Sequence, residues 1–381
     1  MKLLVTSDEG DPRDVDHWSG LPHYVSKCLA TKFELCFDGN LTTKARWYDN
    51  WIRRWYLRTG QGWYAAEYEP SAVKSYADQL KKTIREQRPD AVVALRCNAI
   101  AALDIDLPIF FIHDVTLRQL FGYYAPFAGF SKRSHRAAEQ MQADALARSA
   151  GAIYSSTWAS ESAIRDYATA PEKVHTIPFG ANLDDLPSRD EVFASIDKRL
   201  GSPVIRFLFV GVEWERKGGP TLIRIARQLV ARGLKLQLDI VGIEPPADVA
   251  AESFVVRHGF LSKKDPAQLA KFRSLYTNAN FFFTPSESEC YGCVFCEANA
   301  FGLPVLARDT GGVSEIVKEG VNGYLLSTEK PDELFVETIL GLCQDPARYR
   351  QMARQARDEY DARLNWDVFA ERIEKVIRAA F

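Results

Sequence analysis

Short apolar runs alternate with longer amphipathic stretches along this chain, and the alternation occurs twice. In the first half the apolar runs fall at 3–6, 91–95, 109–113 and 152–155. In the second they fall at 205–211, 237–242, 254–258, 281–284 and 305–307. Each is too short for a helix and is bounded by polar or turn residues, which predicts a buried strand. Stretches between them, such as 221–232 and 265–278, carry apolar residues three and four apart and predict helices. Such alternation predicts parallel sheets with crossover helices. The polar, proline-containing stretch 180–203 separates the two series. Two doubly wound α/β domains are therefore expected, with ligands outside the carboxyl ends of the strands, in the cleft between domains.

Composition narrows the function classes. A chain of 381 residues suits two cores better than one. Hydrophobic content of 46% with 26% charged residues is the balance of a soluble globular protein. A net charge of −2 gives no footprint for nucleic acid. No apolar run approaches the ~20 residues that span a bilayer. The opening MKLLVTSDEGD turns acidic after Val5 and reads as a first strand, not a signal peptide. Seven scattered cysteines do not suggest a disulfide framework, so a reducing cytoplasm is the expected compartment.

The most informative stretch is 284–307, TPSESECYGCVFCEANAFGLPVLA. Seven residues separate Glu289 from Glu297. Turn residues precede the pair and Gly302-Leu303-Pro304 follows it, which predicts a loop, a helix and a strand. Eight positions make about two helical turns. Glu289 then sits at or before the helix start, and Glu297 inside it near the same face. A carboxylate among Val294, Phe295, Ala298 and Ala300 needs a partner, and a ligand hydroxyl is one. Further upstream, a strand ending at Gly211 leads into Arg216, Lys217, Gly218 and Gly219, with Pro220 opening a helix. Cations and glycines at a helix start suit a diphosphate. The plain alternative is a solvated basic loop. DTGGVSEIV at 309–317 reads as a turn and helix start, and Asn322-Gly323 as a turn before a strand.

In this order the segments resemble the retaining nucleotide-sugar glycosyltransferases of the GT-B fold, glycosyltransferase family 4 ("group 1"). The matching run covers 207–326: V-G-x(5)-K-G, I-V-G, P-S-x-x-E-x-Y-G-x(4)-E-A-x-A-x-G-x-P-V-x-A, G-G-x-x-E-I-V and G-x-N-G. Weaker echoes are Ser19-Gly20, the run ending in His113, residues 177–180, and Trp366 opening the last helix. The resemblance implies two Rossmann-like domains facing a central cleft. Residues 1–185 would read the acceptor and 186–365 the donor, with 366–381 packing back on the first domain. Glu297 then holds the donor ribose hydroxyls, and Glu289 stands beside the donor sugar. Lys217 and the amides of Tyr291, Gly292 and Cys293 approach the diphosphate and sugar. Gly20 and Gly242 give the donor room, and His113 lies near sugar and acceptor as a catalytic candidate. Val212 departs from the family pattern, which often has Arg there; Arg216 is the candidate replacement.

The implied reaction moves a hexosyl group from a nucleotide-diphosphate sugar to a hydroxyl of a glycan or lipid-linked acceptor, with retention. The departing phosphate oxygen would help deprotonate the acceptor, while Glu289 orients the sugar. Cations would stabilise the leaving group. No Asp-x-Asp motif occupies the expected loop, so neither a metal nor a cofactor is expected. The loop 258–264 and the surroundings of Ser286 are expected to meet the base. A non-catalytic nucleotide-sugar-binding subunit, motivated by Val212, and an epimerase of the same fold remain alternatives. A dinucleotide-dependent dehydrogenase is disfavoured, because no strand leads into G-x-G-x-x-G.

Three features admit two readings. Cys290, Cys293 and Cys296 could hold a metal, but packing is favoured because they straddle the glutamates. His17 and His23 flank Gly20 and read as loop residues. In 41–68, Trp47, Tyr48, Trp51, Ile52, Trp55 and Tyr56 recur at helical spacing, with Arg46, Arg53 and Arg54 assigned to the other side. Such a face either lies in a membrane interface or grips a lipid-linked acceptor, or it packs internally or against a subunit. The first option implies peripheral contact with the inner face of a membrane through 47–56.

Overall fold

The computed structural model describes residues 1–8, 10–39, 41–42, 48–327 and 331–381. By its contacts the chain divides into Met1–Pro178 with Trp366–Phe381, and Phe179–Asn365.

The first unit holds β1 (Lys2–Thr6), β2 (Glu34–Asp38), β3 (Ala91–Ala94), β4 (Ile109–His113), β5 (Gly151–Tyr154) and β6 (Val174–Thr176). They pair in parallel in the order β2-β1-β3-β4-β5-β6. The central strands are buried along nearly their whole length, as parallel strands covered on both faces must be, so they read as continuous apolar runs. The edge strands β2 and β6 are absent from the sequence expectation. Their sequences, ELCFD and VHT, are half-exposed and polar, so no apolar run marks them. The helix Trp366–Arg378 completes this unit. Its buried Phe369, Ala370, Ile373 and Ile377 fall three and four apart and form one stripe. Trp366 stacks on Tyr24 of the helix Leu21–Leu29 at 6.3 Å, and Glu374 pairs with Lys32 at 3.6 Å.

The second unit holds β7 (Ile205–Val210), β8 (Leu236–Val241), β9 (Val255–Gly259), β10 (Phe281–Thr284), β11 (Val305–Arg308) and β12 (Gly323–Leu326), in the order β12-β11-β10-β7-β8-β9. It begins at Phe179, before the expected 185/186 boundary. The Phe179 ring lies 5.4 Å from that of Tyr291, and its carbonyl accepts the Tyr291 hydroxyl at 2.9 Å, which ties this segment to the later residues. The helix Gly219–Ala231 turns Leu222, Ile225, Ala226 and Leu229 onto a core of Phe207, Phe209, Leu238 and Ile240. Burying each large side chain contributes roughly 1.5–3 kcal/mol.

The aromatic stretch corrects the sequence expectation. Trp47 and Arg46 lie outside the described residues. The helix Asp49–Arg58 splits the stripe rather than burying or exposing it whole. Ile52 and Tyr56 face inward, with Tyr56 stacked on Tyr64 at 5.6 Å. Trp51 and Trp55 face outward beside Arg54 and Arg58, because these four positions are three and four apart. Arg54 is thus on the tryptophan side, whereas Arg53 turns in to donate to the Tyr64 carbonyl at 3.3 Å. No helix among the described residues is long and apolar enough to cross a membrane.

Candidate donor site and its family

The second sheet changes direction between β7 and β10: β8 and β9 extend one way, β11 and β12 the other. Loops leaving adjacent strands at such a point diverge and open a crevice. Here they remain linked near their bases. The Glu287 amide donates to the Arg216 carbonyl at 2.8 Å, and Arg216 Nη1 donates to the Ser288 carbonyl at 3.1 Å. The Arg216 guanidinium also pairs with Glu213. Lys217 Nζ makes an ion pair with Glu289 Oε2, which also accepts from Ser286 Oγ at 3.2 Å. The two charged side chains are only 11% and 9% exposed. A buried ammonium with no anionic ligand needs a counter-charge, and Glu289 supplies it. The third loop joins from β11: the Gly312 amide donates to the Cys290 carbonyl at 3.1 Å. Gly242, at the end of β8, has φ +96°, and a Cβ there would overlap the carbonyl oxygen of Gly211. Only glycine lets the two strand ends approach so closely. Val212 is 62% exposed beside this loop.

The helix Cys293–Ala300 starts from Gly292 at φ +90°. A side chain at Gly292 would press into the Phe295 ring at 2.6 Å. Amides at a helix start have no carbonyl of the helix to bond, and the positive end of the helix dipole lies there, which suits an anion. Tyr291 is buried and spends its hydroxyl on Phe179, which leaves its amide as the group to offer a ligand. Glu297 is 1% exposed. Its Oε2 accepts the Tyr276 hydroxyl at 2.9 Å and its Oε1 accepts Lys263 Nζ at 2.8 Å. Lys263 also donates to the Asn182 carbonyl at 2.7 Å. The helical carboxylate therefore has protein partners, where the sequence required a partner and named a ligand hydroxyl as one candidate. Burial, and then the Glu297 charge, hold the Tyr276 phenol far above its ordinary range, so it stays a donor. Lys263 falls in the loop expected near the base; nothing in the spacing of Tyr276 signalled its partner.

The three cysteines form no disulfide. Cys290 and Cys296 are buried, and Cys293, in the first helical turn, is partly exposed. The Cys296 thiol donates to the Phe179 carbonyl at 3.5 Å. Among the described residues no group of three or more His, Cys, Asp or Glu side chains gathers as a metal set.

In the first unit the sheet changes direction between β1 and β3. The loop after β1 ends at Gly20, φ +83°, before the helix Leu21–Leu29. Trp18 of this loop lies 4.7 Å from the His113 ring, so Gly20 and His113 belong to one neighbourhood. His113 Nδ1 accepts the Val115 amide at 3.2 Å and lies 3.1 Å from Asp114 Oδ1. His23 Nδ1 is held 2.7 Å from the Arg13 carbonyl, and His17 lies 3.7 Å from Asp14. The sequence missed the pair across the change of direction: Arg96 Nε is 3.3 Å from Asp8 Oδ1, and the Asp8 side chain is 5% exposed.

Residues 189–359 match the family model for glycosyl transferases group 1. This segment is a group 1 glycosyltransferase domain. The group 1 domain holds all six strands of the second sheet, both glutamates, Lys217, Lys263 and Tyr276; Asn182 lies just before it. D-inositol 3-phosphate glycosyltransferase 1 of Catenulispora acidiphila is 30% identical over 237 residues, covering 56% of this chain and 53% of that protein. The enzyme of the same name from Segniliparus rotundus is 29% identical over 223 residues, covering 56% and 49%. The chain thus spans about half the length of the curated relatives it matches. Sucrose-phosphate synthase from Thermosynechococcus elongatus superposes with a TM-score of 0.70 at 16% identity, covering 100% of this chain and 98% of that one. HepE of Anabaena, solved in complex with UDP and glucose, gives 0.66 at 16%, covering 100% of both. At such identity the likeness establishes the fold, which is GT-B with two Rossmann-like α/β sheets.

Proposed function

We propose that this chain transfers a hexosyl group from a nucleotide-diphosphate sugar to a hydroxyl of a glycan or lipid-linked acceptor, with retention and without a divalent metal. The observation that carries the reading is the Lys217–Glu289 pair beside the start of the Cys293 helix, with Glu297 sealed within that helix. The donor diphosphate takes Lys217 from Glu289 and receives the amides of Gly292 and Cys293. Glu289, so released, orients the sugar at the reacting carbon. The ribose hydroxyls bond to the lone pairs of Glu297 that Tyr276 and Lys263 leave over. Arg216 assists at the diphosphate in place of an arginine at Val212. Water exclusion by closure over the donor limits hydrolysis. His113 and the Asp8–Arg96 pair are assigned to the acceptor side.

The test begins with thermal shift against UDP-, GDP- and ADP-sugars; a ligand at one hundred times its Kd stabilises by about 2.7 kcal/mol. The UDP sugars come first, since HepE was solved with UDP-glucose. With the donor known, Glu297→Ala is expected to weaken donor binding, and Glu289→Ala to lower donor turnover while binding persists. Loss of binding alone in both variants would remove Glu289 from catalysis. The exposed Val212 keeps one rival in play, a donor-binding subunit without turnover. Wild-type turnover no greater than that of Glu289→Ala would decide for that rival. NMR of the product anomer tests retention.

A further inference from the structure

Three tryptophans are exposed among the described residues: Trp51 at 69%, Trp55 at 53% and Trp63 at 41%. All belong to one short segment of the first unit, outside the residues assigned to donor or acceptor. The helix Asp49–Arg58 is satisfied on its inner side, where Tyr56 stacks on Tyr64 and Arg53 covers Trp63 at 5.0 Å. Its outer side presents Trp51, Arg54, Trp55 and Arg58, with Leu57 54% exposed at its margin. The charge is as uneven as the apolar surface. Among the described residues of this segment, Arg54 and Arg58 lie on the exposed side, while Asp49, the one carboxylate between positions 48 and 63, is buried, in a chain whose net charge is −2.

We infer that this face docks on an anionic lipid bilayer, with the helix lying in the plane of the headgroups. Indole rings settle at that depth, apolar body inward and N–H toward water. Arginine stems lie along the apolar boundary while their guanidinium groups reach lipid phosphates. An excess of cations is drawn to an anionic leaflet over about a Debye length. A second copy of the chain fits less well. Isologous pairing would set Arg54 and Arg58 against their own copies. A ten-residue helix is about 15 Å long, and one side of it offers far less than the ~800 Å² per partner of a stable dimer. The inference does not rest on the sugar-transfer reading, and each can fail without the other.

The test is co-sedimentation of the full chain with vesicles of phosphatidylcholine alone and with about 30 mol % phosphatidylglycerol. The expected result is binding to the anionic vesicles only, released by about 0.5 M salt. Trp51→Ala/Trp55→Ala and Arg54→Glu/Arg58→Glu are each expected to lower the partition coefficient at least tenfold, on the order expected for losing the apolar or the cationic contribution. Circular dichroism and melting curves matching wild type show that the variants fold. Wild type remaining in the supernatant with anionic vesicles overturns the proposal, as does undiminished sedimentation of both variants. A dimer in light scattering that the tryptophan variant dissolves would assign the face to a second copy instead.

Discussion

Glu297 is almost wholly removed from water, and two protein donors hold its oxygens before any ligand arrives. That makes the carboxylate a fixed acceptor, because its rotamer is set by Tyr276 and its charge is balanced by Lys263. Tyr276→Phe removes one donor and leaves a buried oxygen underbonded, at a cost of about 1–3 kcal/mol. A drop of several degrees in the second unit's melting temperature is expected, with weaker donor binding by calorimetry. Wild-type melting and affinity in Tyr276→Phe would mean that Glu297 holds its position unaided. Glu297 stood out in the sequence because a carboxylate inside an apolar helix is anomalous in any sequence. Its partners did not, since Tyr276 and Lys263 lie 21 and 34 positions away and only the tertiary fold brings them in. Glu289 and Lys217, 72 positions apart, were each singled out in the sequence as candidates, while their pairing was not legible.

The helix Cys293–Ala300 gives the three cysteines of C-x-x-C-x-x-C different surroundings. Cys290 precedes the helix and is buried, Cys293 is partly exposed in its first turn, and Cys296 is buried against the Phe179 carbonyl, so the sulfurs do not share one environment. Burial pushes the Cys296 thiol up to about 12. At pH 8 its thiolate fraction is then about one in ten thousand, so alkylation there is negligible. Peptide mapping after brief iodoacetamide treatment of the native protein is expected to find Cys293 labelled ahead of Cys290 and Cys296. Equal labelling of all three in folded protein would contradict the burial assigned to Cys296. Legibility of elements followed the same physics. Central strands such as β7 and β10 are covered on both faces and declared themselves as apolar runs, whereas β2 and β6 border solvent and did not. The stripe around Trp51 was legible as a helix, but spacing alone could not say which of its aromatic residues faces inward.

At the scale of the whole molecule, the chain leaves its first unit at Pro178 and returns to it at Trp366. The family resemblance implied that 366–381 packs back on the first domain; the contacts group this helix with Met1–Pro178, in a core whose other members lie at the opposite end of the chain. Phe369, Ile373 and Ile377 are fully buried, and Trp366 stacks on Tyr24. At roughly 1.5–3 kcal/mol for each large side chain, removing this helix costs on the order of the 5–15 kcal/mol that holds a domain folded. The second unit has its own sheet and core and does not depend on these residues. Truncation after Asn365 is therefore expected to abolish the first unit's transition in calorimetry, while a transition for the second unit survives. The opposite deletion discriminates further: residues 179–365 alone are expected to melt as the surviving transition does. If the chain ending at Asn365 keeps both transitions unchanged, the helix is an accessory on a self-sufficient first unit, and the return of the chain has no energetic consequence.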